Sequence, residues 1–150
     1  MGGDLPKVLY EVAGRPMVHW VVDACRQAGA SPIILVVGHR SDLVREAFSE
    51  DSDVHFVEQP EQLGTGHAVN VCREELSPLG GDTFVLAGDG PLIRTQTLRS
   101  LLAKHTQSGA AATLATAVID DPTGYGRIVR DNHGAFQEIV EEKNASADQK

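Results

Sequence analysis

The sequence lacks several features that would define its class at once. Its 150 residues include only two cysteines, Cys25 and Cys72, which are far apart and form no Cys-x-x-Cys spacing. This usage favours two buried thiols in a reducing compartment. No apolar run approaches the about 20 residues that a membrane span needs, and no signal peptide is recognisable. We therefore expect a cytoplasmic protein without a membrane partner.

Basic residues are also scarce. The chain has 13 Lys and Arg against 21 Asp and Glu, a formal net charge of -8. A surface of that charge argues against nucleic acid or an anionic membrane as a partner. It permits a small phosphorylated ligand, which needs only local donors and a metal. Met1-Gly2-Gly3 begins like an acylation signal, but Pro6 stands where such a signal has Ser or Thr.

What the sequence contains is an alternation of strand and helix patterns. Apolar residues at helical spacing predict helices, and β-branched runs predict strands buried on both faces. The helices are predicted at Val18–Ala28, Asp42–Phe48, Gly66–Leu76 and Thr95–Thr106, and the strands at Ile33–Val37, Val54–Glu58, Thr83–Ala87 and Ala111–Ile119. This order predicts an α/β fold: a Rossmann-like open, mixed and mostly parallel sheet with helices on both faces.

The pattern changes after Asp120. The segments Gly126–Asp131 and Ala135–Glu142 read as two strands, joined by the turn Asn132-His133-Gly134. No linker, internal repeat or low-complexity segment interrupts the chain before a short polar tail that begins at Asn144. We therefore predict a single domain over residues 1–150, and no β-helix domain within it.

Two loops carry chemistry at the predicted carboxyl ends of strands, where ligands of open α/β sheets bind. In the run Gln59–Ala68, two glycines flank Thr65, which suits bare main chain facing a flat or anionic ligand. A tight strand-to-helix turn also needs glycine, so this signal is weak alone. In Ala87–Ile93, Asp89 follows a strand between two glycines. It suits either a Mg²⁺ ligand on phosphate oxygens or a turn and cap residue, and these readings are about even.

Five motifs in this order resemble one family, the pyrophosphorylase domain of bacterial N-acetylglucosamine-1-phosphate uridylyltransferase. They are Leu5-Pro6-Lys7-Val8-Leu9, Gly14-Arg15-Pro16-Met17, Glu61-Gln62-Leu63-Gly64-Thr65-Gly66-His67-Ala68, Gly88-Asp89-x-Pro91-Leu92-Ile93 and Pro122-Thr123-Gly124-Tyr125-Gly126-Arg127-Ile128-Val129, followed by Ile139-Val140-Glu141-Glu142-Lys143. The first two motifs are shared by many nucleotidyltransferases. The third and fifth together are much more specific.

The resemblance implies a fold of the nucleotide-diphospho-sugar transferase type and a reaction. UTP and N-acetylglucosamine 1-phosphate would give UDP-N-acetylglucosamine, a cell wall precursor, and pyrophosphate. By similarity, Asp89 would hold Mg²⁺ and Lys7 would place a positive charge on the phosphates. The remaining implied residues bind substrate: Gln59, Gln62, Gly64 and Thr65 on the uracil side, Gly88 beside the metal ligand, and Gly126 and Glu141 at the sugar.

Each implied role has a plainer structural alternative. Lys7 is also explained as a surface lysine, Gln59 as a strand end, and Glu141 as part of an acidic solvated strand face. Gly126 is also explained by backbone geometry alone. We predict that His67 packs or caps near a helix start, and that Arg127 pairs with a nearby carboxylate.

The sequence also departs from the family pattern. The family's first strand and its glycine-rich phosphate loop precede Leu-Pro-Lys, and this sequence starts after nearly all of that loop. Two later asparagines of the family, one at the sugar and one at the metal, are absent too. We therefore expect an incomplete catalyst that lacks its first strand. Two alternatives stay open: a non-catalytic nucleotide-sugar binding module, and a nucleotidyltransferase for another sugar phosphate or nucleotide. The sequence does not address the oligomeric state.

Overall fold

The computed structural model describes residues 5–147 and residue 149. The acylation-like start Met1-Gly2-Gly3 lies outside the described residues. The chain separates into two compact units, residues 1–113 and residues 114–150.

The first unit begins with a short 3-10 helix, Lys7–Leu9, which buries Leu9. A small antiparallel hairpin follows, with strands β1 (Glu11–Val12) and β2 (Arg15–Pro16). Helix α1 (Met17–Ala28) then buries the apolar stripe that the sequence predicts. The helix ends at Gly29, whose φ of 95° lies in the left-handed region that glycine adopts without strain.

A β-α-β unit forms the centre of the first unit. Strand β3 (Ile33–Val37), helix α2 (Ser41–Ala47) and strand β4 (Val54–Glu58) follow in order. The two strands are parallel, in a register that runs from Ile33 opposite Val54 to Val37 opposite Glu58. Parallel strands joined by a helical crossover place both carboxyl ends at one edge, which is where the candidate site lies.

Three more helices complete this unit: α3 (Thr65–Val71), α4 (Arg73–Leu76) and α5 (Thr95–Ser108). The single helix predicted over residues 66–76 is divided at Cys72, where ψ is 0° and the Cys72 N–H bonds Val69 O at 3.1 Å. That tighter turn separates α3 from α4. Helix α5 packs on α1, and its Leu98 is fully buried.

The core of the first unit is a cluster of mostly small and β-branched side chains. Ten members lie in or directly after α1, α2, β3 and β4, and they are joined by Leu9 and Leu98: Leu9, Val18, Val21, Val22, Ala24, Cys25, Ile33, Val37, Val44, Phe48, Val54 and Leu98. Both cysteines are free thiols and buried, as predicted.

Two predicted strands do not form. Residues 83–87 and 111–119 have no regular secondary structure, and neither segment pairs with a strand in the part of the chain described. In the first segment Phe84 and Leu86 pack on the core while Val85 is 63% exposed, so the segment is not buried on both faces. A strand also requires a neighbour that accepts its hydrogen bonds, and local sequence does not supply one.

The second unit contains the predicted hairpin. Strands β5 (Arg127–Arg130) and β6 (Phe136–Val140) are antiparallel, with Arg127 opposite Val140 and an irregularity at Val129–Arg130. Asp131 closes the turn, since its Oδ1 accepts hydrogen bonds from two backbone N–H groups, His133 at 2.8 Å and Ala135 at 2.9 Å. A 3-10 helix, Glu142–Asn144, follows β6.

Within residues 5–147 and 149, no helix has both the length and the apolar character required to cross a membrane.

Candidate functional site

The first part of the site is an ion pair between residues 82 positions apart in sequence. Lys7 Nζ donates to Asp89 Oδ2 at 2.6 Å. Lys7 is placed by the 3-10 helix, which buried Leu9 anchors in the core. The Lys7 side chain is 70% exposed and the Asp89 side chain 33% exposed, so both charged groups are reachable from solvent.

Gly88 allows this approach. A Cβ at position 88 would lie 3.2 Å from Val8 Cγ1 and 3.8 Å from Val18 Cγ2. A side chain at this position would require Val8 to shift by a few tenths of an ångström, so glycine lets the loop lie against the 3-10 helix and α1 at the present distance.

The electrostatics of Asp89 favour its ionised form. The hydrogen bond from Lys7 lowers the pKa of Asp89 from its ordinary value of 3.8, and partial burial opposes this effect. A charge-assisted hydrogen bond to the ionised form is the usual cause of such a shift. Asp89 is consequently a carboxylate at neutral pH, as a ligand for a hard cation must be.

The donor set fits one kind of metal. In the described part of the chain, no three His, Cys, Asp or Glu side chains converge as a metal-binding cluster. Mg²⁺ is commonly bound through one or two carboxylates together with substrate phosphates, and it keeps several waters. A single accessible carboxylate such as Asp89 fits a Mg²⁺ that is shared with phosphates.

The second part of the site is the loop between β4 and α3. The Gln59 N–H bonds Val37 O at 2.8 Å, which carries the β3–β4 pairing one residue beyond β4. Gly64 has φ 95° and ψ -179°, a conformation that only glycine adopts readily. This turn directs the chain into α3, and Gln62, Gly64 and Thr65 are exposed beside it.

The side chain of Gln59 is fixed within this loop. Its Nε2 donates to Gly64 O at 3.2 Å and lies 3.0 Å from His67 Nδ1. The Gln62 side chain lies near Gly38, since a Cβ at position 38 would lie 3.2 Å from Gln62 Nε2 and 3.6 Å from Gln59 O. Gly38 therefore leaves room for both glutamines.

A cleft of about 240 Å³ opens beside Gln59, at the carboxyl ends of β3 and β4. Its lining is mostly polar and comprises Val37, Gly38, His39, Ser41, Glu58, Gln59 and Pro60. Glu58 is held by Arg45 at 3.2 Å and by the Ser41 hydroxyl at 3.4 Å. The position matches the general location of ligand sites in open α/β folds.

The second unit carries the two residues that the resemblance places at the sugar. Extending the β5–β6 register by one residue sets Gly126 opposite Glu141. A Cβ on Gly126 would lie 3.1 Å from Ile139 Cγ2, so this glycine permits close packing across the hairpin. Glu141 is exposed at the end of β6.

Glu142 organises the loop before β5. It accepts a hydrogen bond from the Gly124 N–H and lies 3.8 Å from Arg127 Nη2. Arg127 Nη1 also donates to Pro122 O at 2.9 Å and to Tyr125 O at 2.5 Å. The prediction that Arg127 pairs with a carboxylate is confirmed.

The structure thus groups the predicted residues into sets. Lys7, Gly88 and Asp89 form one set, and Gln59, Gln62, Gly64 and Thr65 form another; no hydrogen bond joins these two sets among the residues described. Gly126 and Glu141 form the third set, in the second unit.

Sequence reasoning missed three contributors: the contact of His67 with Gln59, the space at Gly38, and the role of Glu142. Of the two roles predicted for His67, packing or capping, the structure supports packing: His67 is half-buried against Gln59, and α3 has no side-chain cap hydrogen bond. Its place within the motif Leu-Gly-Thr-Gly-His, eight residues after Gln59, is the one sequence signal for its contact.

Solved structures define the class of this fold. HddC from Yersinia pseudotuberculosis, in complex with GMP-PN, matches with a TM-score of 0.69 at 21% identity, over 94% of this chain and 62% of that one. UDP-glucose pyrophosphorylase from Acinetobacter baumannii matches with a TM-score of 0.65 at 27% identity, over 93% of this chain and 61% of that one. These matches confirm the predicted fold class, the nucleotide-diphospho-sugar transferase type.

Sequence comparison adds the family. The chain belongs to the MobA-like NTP transferase domain family, which it matches over residues 1–145. It is 48% identical to the bifunctional protein GlmU of Trichlorobacter lovleyi, over 99% of this chain and 32% of that protein. For the GlmU of Geotalea daltonii the identity is also 48%, over 100% and 33%. The chain spans about a third of the length of these curated relatives, and they confirm the resemblance that the motifs predict.

Proposed function

We propose that this chain is the nucleotidyltransferase part of an enzyme that transfers UMP from UTP to N-acetylglucosamine 1-phosphate. The products are UDP-N-acetylglucosamine and pyrophosphate. The observation that carries the proposal is the Lys7–Asp89 ion pair, which joins a cation and a carboxylate 82 positions apart in sequence at 2.6 Å. The GlmU relatives and the nucleotide named with one structural neighbour support it.

In this proposal the protein positions groups and neutralises charge. The sugar phosphate oxygen attacks the α-phosphorus of UTP, in line with the departing pyrophosphate. Asp89 would hold Mg²⁺, which when bound neutralises phosphate charge. Lys7 would leave Asp89 and donate to a phosphate oxygen, and Gly88 would keep the loop close enough for both roles.

The remaining residues would bind the two ends of the nucleotide sugar. Gln59, Gln62, Gly64 and Thr65 would contact the uracil side, where the cleft beside Gln59 lies. Gly126 and Glu141 would contact the sugar, with Glu141 accepting a hydroxyl hydrogen bond. The two free thiols support a reducing, cytoplasmic location.

Pyrophosphate release across a matrix of nucleoside triphosphates and sugar 1-phosphates, with Mg²⁺ present, tests this function. We expect UTP with N-acetylglucosamine 1-phosphate to be the best pair. If a different pair reacts best, the chain would still belong to a nucleotidyltransferase, but the proposed substrates would be wrong. Pyrophosphate release that does not depend on added Mg²⁺ would contradict the proposal that Mg²⁺ is the cofactor.

A non-catalytic binding module is the second candidate, and it is favoured by residues 83–87 and 111–119, which form no strand, because the sheet predicted to support a catalytic site is incomplete there. Calorimetry of the 150-residue chain with UDP-N-acetylglucosamine separates the two candidates. Binding by this chain without turnover by the full-length protein that contains it would support the module, whereas no binding at millimolar ligand would contradict both.

A further inference from the structure

The Gln59 amide is held in one orientation by two neighbours. A primary amide can present either its oxygen or its NH₂ group to a contact, and the hydrogen-bond network decides which. Gly64 O is a carbonyl and can only accept, so the atom 3.2 Å from it must be Nε2. The alternative orientation would set two oxygens against each other.

His67 provides the second contact and thereby fixes its own tautomer. Its Nδ1 lies 3.0 Å from the same Nε2, whose second hydrogen is available for it. Because Nε2 of an amide can only donate, Nδ1 must accept, and the ring hydrogen of neutral His67 must sit on the imidazole Nε2. Helix α3 holds His67 at this distance, and the contact is partly buried.

These two bonds use both hydrogens of the Gln59 amide. Gln59 Oε1 has no hydrogen-bond partner among the residues that the structure describes, and Gln59 lines the cleft at the ends of β3 and β4. The group that the side chain offers to a ligand is therefore an acceptor only. Without the His67 contact, one of the two bonds that hold this orientation is lost.

We propose that His67 is a positioning residue for base selection: as the Nε2–H tautomer, it holds Gln59 with Oε1 facing the cleft. This inference rests on the proposed function, in which Gln59 contacts the base. An acceptor at that place suits a base whose ring nitrogen carries hydrogen, such as N3–H of uracil. Cytosine presents a lone pair at N3, and two acceptors facing each other leave both unpaired.

Matched variants test the role of His67. His67→Leu removes the acceptor, and His67→Asn can restore it through the side-chain oxygen. His133→Leu makes the same change in an exposed turn of the second unit. Calorimetry with UTP, CTP and N3-methyl-UTP gives the ratio of affinities for each protein, and urea unfolding confirms that each variant is folded.

We expect the unaltered chain to bind UTP more tightly than CTP or N3-methyl-UTP. His67→Leu should reduce the UTP-to-CTP ratio by about fivefold, the effect of one hydrogen bond of ordinary strength. His67→Asn should recover most of the ratio, and His133→Leu should not change it. A merely structural role would weaken all three nucleotides equally and leave the ratio unchanged, which would overturn the inference.

The tautomer is measured without any nucleotide. Long-range ¹⁵N–¹H correlation of the histidine rings in their neutral form should show the ring hydrogen of His67 on Nε2 and none on Nδ1. A hydrogen on Nδ1 would overturn the inference even if UTP binds. If the tautomer is as expected but no nucleotide binds, the proposed function fails, and base selection fails with it.

Discussion

At the residue scale, Asp89 combines two properties that rarely occur at an ordinary turn. It is kept ionised by Lys7, and it remains a third exposed. A turn aspartate bonds nearby backbone, as Asp131 does in the second unit, and the backbone N–H of Asp89 likewise contributes to lowering the pKa of Asp89. Asp89 is in addition paired with a distant cation, and this favours the metal-ligand interpretation of the Gly-Asp-Gly sequence.

Replacing Asp89 tests that interpretation. Asp89→Asn should reduce pyrophosphate release by about a hundredfold or more, because an amide binds Mg²⁺ poorly and adds no charge. Stability should change by less than about 1 kcal/mol, since the ion pair with Lys7 is largely exposed. Steady-state assays and urea unfolding measure the two effects. Glu50→Gln, an exposed carboxylate elsewhere, is the control, and full activity in Asp89→Asn would contradict the metal role.

Arg26 is a residue whose charged contacts we expect to stabilise the fold. It joins α1 to the loop before β4, with Nη2 2.6 Å from Asp51 Oδ1 and 2.5 Å from Asp53 Oδ1. The hydrogen bond from Arg26 lowers the pKa of Asp53 from its ordinary value of 3.8. A group with a lowered pKa in the folded state stabilises the protein above its unfolded pKa, and this stability is lost as the pH falls through the folded pKa.

Arg26→Met should therefore lower the urea midpoint at neutral pH. The difference between the variant and the unaltered chain should shrink as the pH falls below about 4, because Asp53 becomes protonated in both. Urea unfolding followed by circular dichroism over this pH range measures the difference. A difference that stays constant down to acid pH would show that packing of the Arg26 side chain, rather than its charge, is what stabilises the fold.

At the element scale, the glycines around α3 serve different purposes. Gly64 needs its left-handed φ of 95°, whereas Gly66 is the second residue of α3, where a Cβ would meet nothing within 4 Å. Helix interiors favour alanine over glycine by about 1 kcal/mol. Replacing glycine by alanine should thus raise the stability of the fold at position 66 and lower it at position 64.

Gly66→Ala should stabilise the protein by about 0.5–1 kcal/mol, since it restricts the unfolded chain and strains nothing in the fold. Gly64→Ala should destabilise it by about 1 kcal/mol or more, because alanine adopts a positive φ at a cost. Urea unfolding of the two variants measures the contrast. Equal effects would mean that α3 contributes little to the folded state.

The elements also show what the sequence can and cannot predict. Strands β3 and β4 were predictable because runs such as Ile33–Val37 are apolar on both faces, which few other environments tolerate. Residues 83–87 have a similar pattern but form no strand, since pairing depends on a neighbour far away in sequence. The division of the helix at Cys72 was not predictable either, because no glycine or proline marks it.

In the candidate site, too, some features could be predicted from the sequence and others could not. From the composition and spacing of the Gly88-Asp89-Gly90 loop, Asp89 could equally be a metal ligand or a turn residue. The family resemblance favoured the metal ligand. The contact between Lys7 and Asp89 needed the fold, because it depends on how closely Gly88 approaches Val8. The contact of Gln59 with His67 likewise depends on the turn at Gly64.

At the scale of the whole molecule, the unpaired segments expose apolar side chains. Val85 is 63% exposed, Leu114 50% exposed and Val118 fully exposed. Segments with apolar side chains and unpaired backbone N–H and C=O groups can pair with other chains. We expect amides in residues 83–87 and 111–119 to exchange hydrogen quickly, and those of β3 and α1 to be protected. Hydrogen exchange followed by mass spectrometry measures this, and strong protection at residues 83–87 would contradict the unpaired state.

Val85→Thr should make the chain less prone to association without loss of fold. Threonine keeps the branched shape and removes exposed apolar area, so stability should change by no more than about 0.5 kcal/mol. Light scattering over a range of protein concentrations should show less association than in the unaltered chain. Val36→Thr, a similar change on β3 at a less exposed position, is the comparison.

The pairing of Lys7 with Asp89 makes the resting site nearly neutral in charge. In the proposed enzyme, a bare phosphate would meet the carboxylate and a bare cation would meet the ammonium group, so each would be repelled as well as attracted. Only a ligand that brings both charges together satisfies both side chains at once. In the proposed enzyme the ion pair would therefore favour the metal–nucleotide complex over either component alone.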